Sequence, residues 1–431
     1  MMEKVLQEAR ELDKKFGFFI SINESASEGQ PIAVKDNICT AGLRTTAGSK
    51  ILENYVPPFD ATVIARLKKS GFSVIGKTAM DEFGFGTFSA NCAYKIPKNP
   101  YNPQRACGGS SGGSAGYIAA SKFTRAALAQ STGGSISCPA SFCGVVGLTP
   151  TYGLVSRCGL IDYGNSLDKI GVIGKNVSDC TDVLAIIAGH DERDSTTVEI
   201  KKLPEVEVPK KIKIGVPKEY FSEGVDGKIS KLVWQTIKKF ESEGASYEEI
   251  SLSTTRFALA SYYIIAMCEA STNLAKFCGL RYGLQGEPES KGFNEYFSEI
   301  RTQGFGAEAK RRIILGTYAR AAGYRYQYYL RALKVRTLVI NDFRKAFKKF
   351  DLLAAPTMPI FPPKFSEIEK MTPAQIYAAD VLTVPANLAG IPQISLPCGK
   401  IGKLPVGLHL LGDHFSERKI ISFAQGAEKI L

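Results

Sequence analysis

Two clusters of glycine and serine, joined by a run of small residues, constrain this chain more than any other feature. The first cluster, GGSSGGSAG, begins at Gly108, and the second, STGGS, ends at Ser135. Glycine has no Cβ atom, so a backbone at these positions turns sharply and directs its N–H groups inward. Serine beside such amides combines a potential nucleophile with a potential oxyanion site. The helix-compatible stretch between the clusters predicts one site built from both, although each cluster alone also fits a linker or a turn.

A lysine far upstream is a candidate base for the same site. Lys35 follows the apolar run Pro-Ile-Ala-Val at residues 31–34, which has the composition of a buried strand. An ordinary lysine has a pKa of about 10.4, and burial lowers that value by up to about 3–5. A buried Lys35 would therefore accept a proton, and acyl transfer would need no histidine. The alternative is a lysine at the end of a strand whose ammonium group reaches solvent.

Composition places the chain among ordinary globular proteins. Apolar residues make up 44% of its 431 residues and charged residues 22%, which allows a sizeable core. The charged N-terminal segment has no signal-peptide core, and no stretch approaches the roughly 20 apolar residues of a membrane span, so we expect a soluble, cytoplasmic protein. The ten cysteines form no CxxC pair and the three histidines lie outside any motif. Reduced thiols are thus favoured over disulfides or a metal site, and a Ser-His-Asp triad has little support.

The formal net charge of +12 raises the question of nucleic-acid binding. Basic side chains cluster at residues 210–213, 310–312 and 344–349, where solvated helix faces are the simpler interpretation. No RNA-binding signature with interleaved aromatic residues is present. The charge is consistent with a protein that works near RNA, but it does not indicate that this chain itself recognises the RNA.

Helix-like and strand-like segments alternate along the chain, which predicts an α/β sandwich around a large sheet. Buried strands are expected at residues 72–75, 212–216, 351–355 and 394–397. We predict one domain over residues 1–431, with a helical excursion at about 255–350 and a surface linker at about 191–209. Two independent domains are the alternative.

Residues 71–78, GFSVIGKT, match the phosphate-binding pattern GxxxxGK[ST] letter for letter. That loop works only where it follows a strand and opens a helix. Here a helix-like segment precedes it, and its interior, Phe-Ser-Val-Ile, is typical of a strand. The order of elements is inverted, so we predict no phosphate site there and take Gly71 as the end of a helix.

The region from Gly108 to Gly153 resembles the amidase signature family in GGSSGGSAG and in STGGSISCPASFCGVVGLTPTYG. Upstream, PIAVKDNI matches the lysine motif of that family, and the likeness extends from about residue 31 to 426. Within the family, phrases such as VVGLTPTYGLVSR, AKRRIILGTY and VPANLAGIPQISLPCG are similar to glutamine-hydrolysing subunits of tRNA-dependent amidotransferases, in particular archaeal ones. The resemblance implies a single large mixed β-sheet sandwiched by helices.

The resemblance also implies a Ser-Ser-Lys triad. Ser135 would attack the glutamine carboxamide, Ser110 would relay protons, and Lys35 would be the base. In the family a cis peptide precedes the residue that matches Ser110. The backbone N–H groups implied for the oxyanion belong to Thr132, Gly133, Gly134 and Ser135.

Three further residues are implied to hold glutamine. Arg312 would pair with the α-carboxylate, Asp380 would hold the α-ammonium group, and Tyr262 would bound the pocket, with Tyr263 as the alternative one position on. The chain departs from the family pattern at Ser131, where an aspartate usually precedes the threonine of the second cluster.

The function implied is that of a glutaminase subunit that supplies ammonia for converting Glu-tRNA(Gln), Asp-tRNA(Asn) or both. It would assemble with amidotransferase subunits B and C as a heterotrimer. ATP and magnesium would act in the partner subunit, with no cofactor in this chain and charged tRNA bound through the complex. A free-standing amidase of broader substrate range is one alternative, and a non-catalytic RNA-binding or scaffold subunit is another.

Overall fold

Strands and helices alternate in the computed structural model, which describes residues 1–199, 211–287 and 291–431. The strands are β1 (Phe19–Ile22), β2 (Gln30–Lys35), β3 (Phe72–Thr78), β4 (Lys98–Asn99), β5 (Asn102–Ala106), β6 (Ala126–Ser131), β7 (Val146–Thr149), β8 (Lys169–Gly174), β9 (Lys213–Pro217), β10 (Ser246–Ile250), β11 (Leu352–Pro356), β12 (Gln393–Ile401) and β13 (Leu404–Leu411). The α-helices are α1 (Met2–Phe16), α2 (Thr62–Lys69), α3 (Gly112–Ala120), α4 (Ser137–Cys143), α5 (Val177–Ile187), α6 (Gly227–Ser242), α7 (Ala258–Asn273), α8 (Phe293–Gly304), α9 (Ala307–Arg320), α10 (Arg331–Phe347), α11 (Phe365–Ile368), α12 (Pro373–Ala378), α13 (Val384–Ala389) and α14 (Glu417–Glu428).

In the described residues, eleven of these strands form one mixed sheet in the order β1-β3-β2-β6-β8-β7-β12-β13-β11-β9-β10. Strands β4 and β5 pair separately. Strand β2 runs parallel to both β3 and β6, whereas β8 is antiparallel to β6 and β7. The carboxyl ends of β2, β3 and β6 therefore meet at one edge. The predicted fold class, a single large mixed sheet flanked by helices, is confirmed.

The two faces of the sheet bury different helices. Ile32 and Val34 belong to a core cluster that includes residues of α2, α5, α6 and α14. Ala33 belongs to a separate cluster on the opposite face, with residues of α1, α3 and α4. Further along the same opposite face, Leu353 and Ala355 pack against α7, α10 and α13. Because side chains alternate along a strand, the side chain of Lys35 is on the same face of the sheet as that of Ala33.

The region predicted as a helical excursion contains α7, α8, α9 and α10. The backbones of α9 and α7 are in close contact at Gly316, where a Cβ atom would lie 1.9 Å from the Met267 carbonyl oxygen. Only glycine permits that approach, which fixes the side chains of the two helices relative to each other. None of the helices among the described residues is long and apolar enough to span a membrane.

The described part of the predicted linker packs against the body of the protein. Asp191 accepts hydrogen bonds from Ser156 Oγ at 2.7 Å and from Thr62 Oγ1. Residues 200–209 of that prediction lie outside the described residues. The partition into one domain stays a prediction.

The connection between the two glycine-serine clusters differs from the continuous helix that its small residues predict. Helix α3 takes up its first part, and residues 126–131 form β6. This strand lies between β2 and β8, so its alanines and Leu128 are buried on both faces of the sheet. Tertiary burial thus overrides the helical propensity of alanine. The GFSVIGKT segment is a fully buried strand, β3, as its apolar interior predicts.

Candidate active site

The candidate site lies at the sheet edge where β2 and β6 end. Lys35 is the last residue of β2, and Gln130 is the penultimate residue of β6. The second glycine-serine cluster continues directly from β6 into α4, and the first cluster leads into α3. A crevice outside the carboxyl ends of parallel strands is where α/β proteins bind ligands.

Lys35 is fully buried and contacts the first cluster. Its Nζ donates hydrogen bonds to Ser110 Oγ at 2.7 Å and to Gln130 O at 2.8 Å. Burial lowers the pKa of Lys35 to about 7, although the negative charges of Asp81 and Asp168 oppose that shift. Lys35 therefore carries a substantial neutral fraction at physiological pH, as a general base requires. The alternative of an ammonium group that reaches solvent is excluded.

The structure distinguishes the two adjacent serines of the first cluster. The peptide bond between Gly109 and Ser110 is cis. Ser110 accepts the hydrogen bond from Lys35, whereas Ser111 Oγ donates to Gln130 O at 3.2 Å. Of the two, Ser110 is thus the one in contact with the candidate base.

The second cluster forms a tight loop between β6 and α4. Thr132 Oγ1 donates to Asp168 Oδ1 at 2.6 Å, and Ser131 Oγ donates to Gly133 O at 3.1 Å. A Cβ atom on Gly134 would lie 2.2 Å from Thr383 Oγ1, so residues just before α13 press directly on the loop. Ser135, at the end of the loop, keeps 7% of its surface exposed. The loop therefore has a fixed backbone, and the serine at its end is buried but not fully sealed from solvent.

Arg312 occupies an aromatic pocket rather than a solvated helix face. Its side chain is 2% exposed, its Nε donates to Glu308 Oε1 at 2.7 Å, and its Nη1 donates to Tyr163 Oη at 2.5 Å. The guanidinium carbon lies 5.2–5.6 Å from four ring centroids, those of Phe85, Tyr163, Tyr263 and Tyr377. The solvated-face interpretation of residues 310–312 is wrong for Arg312, because a buried cation in such surroundings is held by charge, hydrogen bonds and ring faces.

Asp380 lies close to the same pocket. Its Oδ2 accepts hydrogen bonds from Tyr263 Oη at 2.6 Å and from Thr87 Oγ1 at 3.0 Å. Burial raises the pKa of this carboxyl to about 6, while the two hydrogen bonds oppose the shift. Tyr263 also touches Arg312, so the structure brings Arg312 and Asp380 around one aromatic ring.

Both tyrosines considered for the pocket are buried within it, in different places. A Cβ atom on Gly133 would lie 2.8 Å from Tyr262 Oη, so Tyr262 packs against the second cluster. Tyr263 instead bonds to Asp380. Their rings pack edge to face with centroids 4.9 Å apart. Tyr262 is thus the one beside the predicted oxyanion site, and Tyr263 the one beside the head-group carboxylate.

Three polar residues of the site escaped the sequence analysis. Gln130 binds Lys35, Asp168 accepts from Thr132, and Asp81 accepts from the backbone N–H groups of residues 89 and 91 at 2.9 Å each. A signal existed for Asp81, which follows β3 and so belongs to the same sheet edge as Lys35. Asp168 carries no local signal, because only the sheet pairing brings it to the loop. Among the described residues no cluster of three or more His, Cys, Asp or Glu side chains could hold a metal ion.

Known proteins resemble this chain along most of its length. The family model described as Amidase matches residues 1–421. The chain belongs to the amidase family. Within the amidase family it is 52% identical to the A subunit of the Glutamyl-tRNA(Gln) amidotransferase of Methanococcoides burtonii, over 93% of this chain and 84% of that one. The corresponding protein of Methanosarcina mazei is 49% identical over 99% and 88%.

A solved member of the amidase family also shares the fold. The crystal structure of the Glutamyl-tRNA(Gln) amidotransferase A subunit from Thermotoga maritima superposes with a TM-score of 0.84 at 38% identity, covering 99% of this chain and 91% of that one. The resemblance drawn from the sequence, archaeal relatives included, is therefore confirmed.

Proposed function

We propose that this amidase-family chain is the glutaminase subunit of a tRNA-dependent amidotransferase. One observation carries the choice of substrate: a buried cation, Arg312, and a buried carboxylate, Asp380, contact the same Tyr263 ring close to the first glycine-serine cluster. Tyr163, which bonds to Arg312, lies across Gly84 from Ser110, because a Cβ atom on Gly84 would be 3.6 Å from the Tyr163 ring and 3.5 Å from Ser110 Oγ. The pair of Arg312 and Asp380 matches the α-carboxylate and α-ammonium groups of a free amino acid. A hydrolase of simple amides needs no such pair. The relatives named as A subunits of Glutamyl-tRNA(Gln) amidotransferases support the same assignment.

The first half of the reaction forms an acyl-enzyme. Ser135 Oγ attacks the side-chain carboxamide carbon of glutamine, and its proton passes to Ser110 Oγ while the proton of Ser110 passes to neutral Lys35. Lys35 then returns a proton through Ser110 to the leaving nitrogen. The C–N bond breaks, ammonia departs and a γ-glutamyl ester remains on Ser135.

The second half hydrolyses that ester. Water attacks the ester carbon and loses a proton along the same relay, which restores Ser135 and releases glutamate. In both halves the backbone N–H groups of the second cluster stabilise the oxyanion, and one such donor contributes about 2.7–4 kcal/mol in the transition state. The implied donors are those of Thr132, Gly133, Gly134 and Ser135.

The head group of glutamine would be held by charge. The hydrogen bonds that Arg312 makes to the described residues use Nε and one N–H of Nη1, so the remaining donors on Nη1 and Nη2 can take the α-carboxylate end-on. Asp380 would take the α-ammonium group, with Tyr263 holding the carboxylate in place. Tyr262 would close the pocket beside Gly133.

The assembly follows from the same proposal. We infer that the chain works in the cytoplasm as part of a heterotrimer with subunits B and C, where a partner subunit uses ATP and magnesium to activate the charged tRNA. This chain would need no cofactor of its own. The formal charge of +12 is consistent with work near RNA. The acceptor would be Glu-tRNA(Gln), Asp-tRNA(Asn) or both.

The deciding experiment measures ammonia release by the purified chain, with and without its partner subunits, from glutamine and from a panel of simple amides. Ser135→Ala serves as the blank. Release confined to glutamine and lost in the blank supports the proposal. Turnover of simple amides with glutamine ignored would replace it with a free-standing amidase. Activity that survives in Ser135→Ala would refute the nucleophile.

The head-group assignment has a sharper test in Arg312→Gln. Loss of a charged hydrogen bond of about 1.5–3 kcal/mol predicts a KM for glutamine raised roughly 10- to 100-fold. Any slow hydrolysis of an amide without a carboxylate, measured in parallel, should change much less. An equal loss for both substrates would show that Arg312 only supports the fold.

A further inference from the structure

The peptide plane that precedes Gly133 is held by a side chain from α13. Asn387 is buried, and its Nδ2 donates hydrogen bonds to the carbonyl oxygens of Thr132 and Leu167, the latter at 3.1 Å. In a trans peptide the carbonyl and the following N–H point in opposite directions. By fixing the Thr132 carbonyl, Asn387 therefore fixes the direction of the Gly133 N–H, one of the proposed oxyanion donors.

A chain of hydrogen bonds orients Asn387 in turn. Its Oδ1 accepts from Gln393 Nε2 at 3.3 Å, and Gln393 Oε1 lies 2.7 Å from His409 Nε2. Burial lowers the pKa of His409 to about 3, so the ring is neutral near pH 7. Because Gln393 Oε1 can only accept, His409 carries its proton on Nε2 and donates it.

The hydrogen bonds that link His409, Gln393 and Asn387 to the loop have one consistent donor-to-acceptor direction. Two carbonyl oxygens require Nδ2 of Asn387 on the side of the loop, which leaves Oδ1 for Gln393. Gln393 must then present Nε2 to Asn387 and Oε1 to His409. Each amide has one orientation that satisfies its neighbours, so the two amide side chains hold each other in place. Nδ1 of His409, at the far end of the network, has no hydrogen-bond partner among the described residues.

We propose that Asn387 is a positioning residue for the oxyanion site, with Gln393 and His409 holding it in its orientation. The inference rests on the proposed function and deepens it. Oxyanion donors accelerate a reaction only when they are already aimed at the developing charge. Asn387 does this for Gly133 without touching the substrate.

The test is Asn387→Asp in the full chain with its partner subunits. Aspartate has the same shape but replaces the donor with an oxygen that faces two carbonyl oxygens. We expect kcat for glutamine hydrolysis to fall about 10²- to 10³-fold, the loss typical of one oxyanion donor, with KM within about threefold of the wild type. A glutamate analogue with a γ-aldehyde, which forms a tetrahedral adduct with Ser135, should lose affinity by a similar factor. Binding of glutamate should not change.

Asn99 provides a matched control. It is also buried, and its Nδ2 donates to two backbone carbonyl oxygens, those of Ala106 at 3.1 Å and Phe142 at 2.9 Å. Asn99→Asp makes the same chemical change away from the oxyanion loop. It should lower the melting temperature as Asn387→Asp does, yet leave kcat within about threefold and aldehyde affinity unchanged.

The possible results distinguish a failure of the positioning role of Asn387 from a failure of the proposed function. If Asn387→Asp retains the wild-type kcat, or if both variants lose kcat and aldehyde affinity equally, the positioning role is overturned. If Asn387→Asp does not fold, Gln393→Met tests the same series of hydrogen bonds. We expect this variant to lose about tenfold in kcat and in aldehyde affinity. No loss would overturn the positioning role. A wild-type protein that releases no ammonia from glutamine would instead refute the proposed function.

Discussion

Two fully buried lysines on neighbouring strands have opposite surroundings. Lys35 ends β2 and Lys77 lies beside it on β3, where it is paired with Val34. Because paired residues share a face, the two amines leave opposite faces of the sheet. Lys77 Nζ donates to Ile38 O at 2.6 Å and lies 3.8 Å from a carboxylate oxygen of Asp36. Lys35 contacts the Ser110 hydroxyl and the Gln130 carbonyl, and no carboxylate of the described residues forms an ion pair with it.

The difference shows that burial alone does not make a base. Burial lowers the pKa of both lysines. For Lys77 the adjacent Asp36 charge is the largest influence that opposes burial, and the charge of each residue favours the charged form of the other. The carboxylates that oppose the shift of Lys35, those of Asp81 and Asp168, act only from a distance. Of these two lysines, Lys35 is thus the one whose pKa falls to about 7.

The largest expected effect that separates the two lysines is on catalysis. Lys35→Met removes the proton acceptor and should lower kcat/KM for glutamine by about 10³- to 10⁴-fold, the upper range for general base catalysis. The readout is steady-state ammonia release, with circular dichroism to show that the fold is retained. Lys35→Arg should be equally inactive, since arginine stays protonated. A variant within tenfold of the wild type would contradict the role of Lys35.

The second effect is on stability. Lys77→Met leaves Asp36 buried without its counter-charge, which should lower the free energy of unfolding by about 3–5 kcal/mol. Activity per folded molecule should stay within about threefold. Denaturant titration and ammonia release on the same sample check both statements. Adding Asp36→Asn should restore part of the stability, and the comparison fails if Lys77→Met is stable but inactive.

A third effect is the pH dependence of the wild type. The neutral form of Lys35 is the base, so kcat/KM should rise with pH through the pKa of about 7 and level off above it. A tenfold loss per pH unit is expected between about pH 7 and 6. The loss should be steeper below the pKa of Asp380, about 6, where the carboxyl that would hold the α-ammonium group becomes protonated. A profile that is flat between pH 5 and 8 would show that no group of this kind limits the reaction.

The smallest effect tests the distant charges. Asp81→Asn removes a negative charge that raises the pKa of Lys35. The rise of kcat/KM with pH, which we call the acidic limb of the profile, should therefore move to lower pH by less than about one pH unit. A merely structural effect would lower the rate without moving the limb. Movement to higher pH would mean that Asp81 acts on Lys35 in another way.

Much of the site could be predicted because its residues lie in local patterns. The glycine-serine clusters, Lys35 after an apolar strand, and the α/β alternation are all visible in short windows of sequence. The features that the sequence did not predict correctly depend on contacts in the tertiary structure. Residues 126–129 have a helical composition, yet they form β6 because two neighbouring strands bury them. Gln130, Asp168 and Asn387 gave no signal, since their partners are distant in the chain.

The sequence by itself determined the kind of chemistry, because serine, lysine and glycine amides at these spacings carry a nucleophile, a base and an oxyanion site wherever the chain folds. Only the tertiary structure decided how that chemistry is tuned. It placed Ser110, not Ser111, against Lys35, and surrounded the amine with neutral groups. It also enclosed Arg312 in aromatic rings and directed Asn387 at the loop. A pKa and the direction of a peptide N–H depend on burial and on contacts across the sheet, which no local pattern of residues specifies.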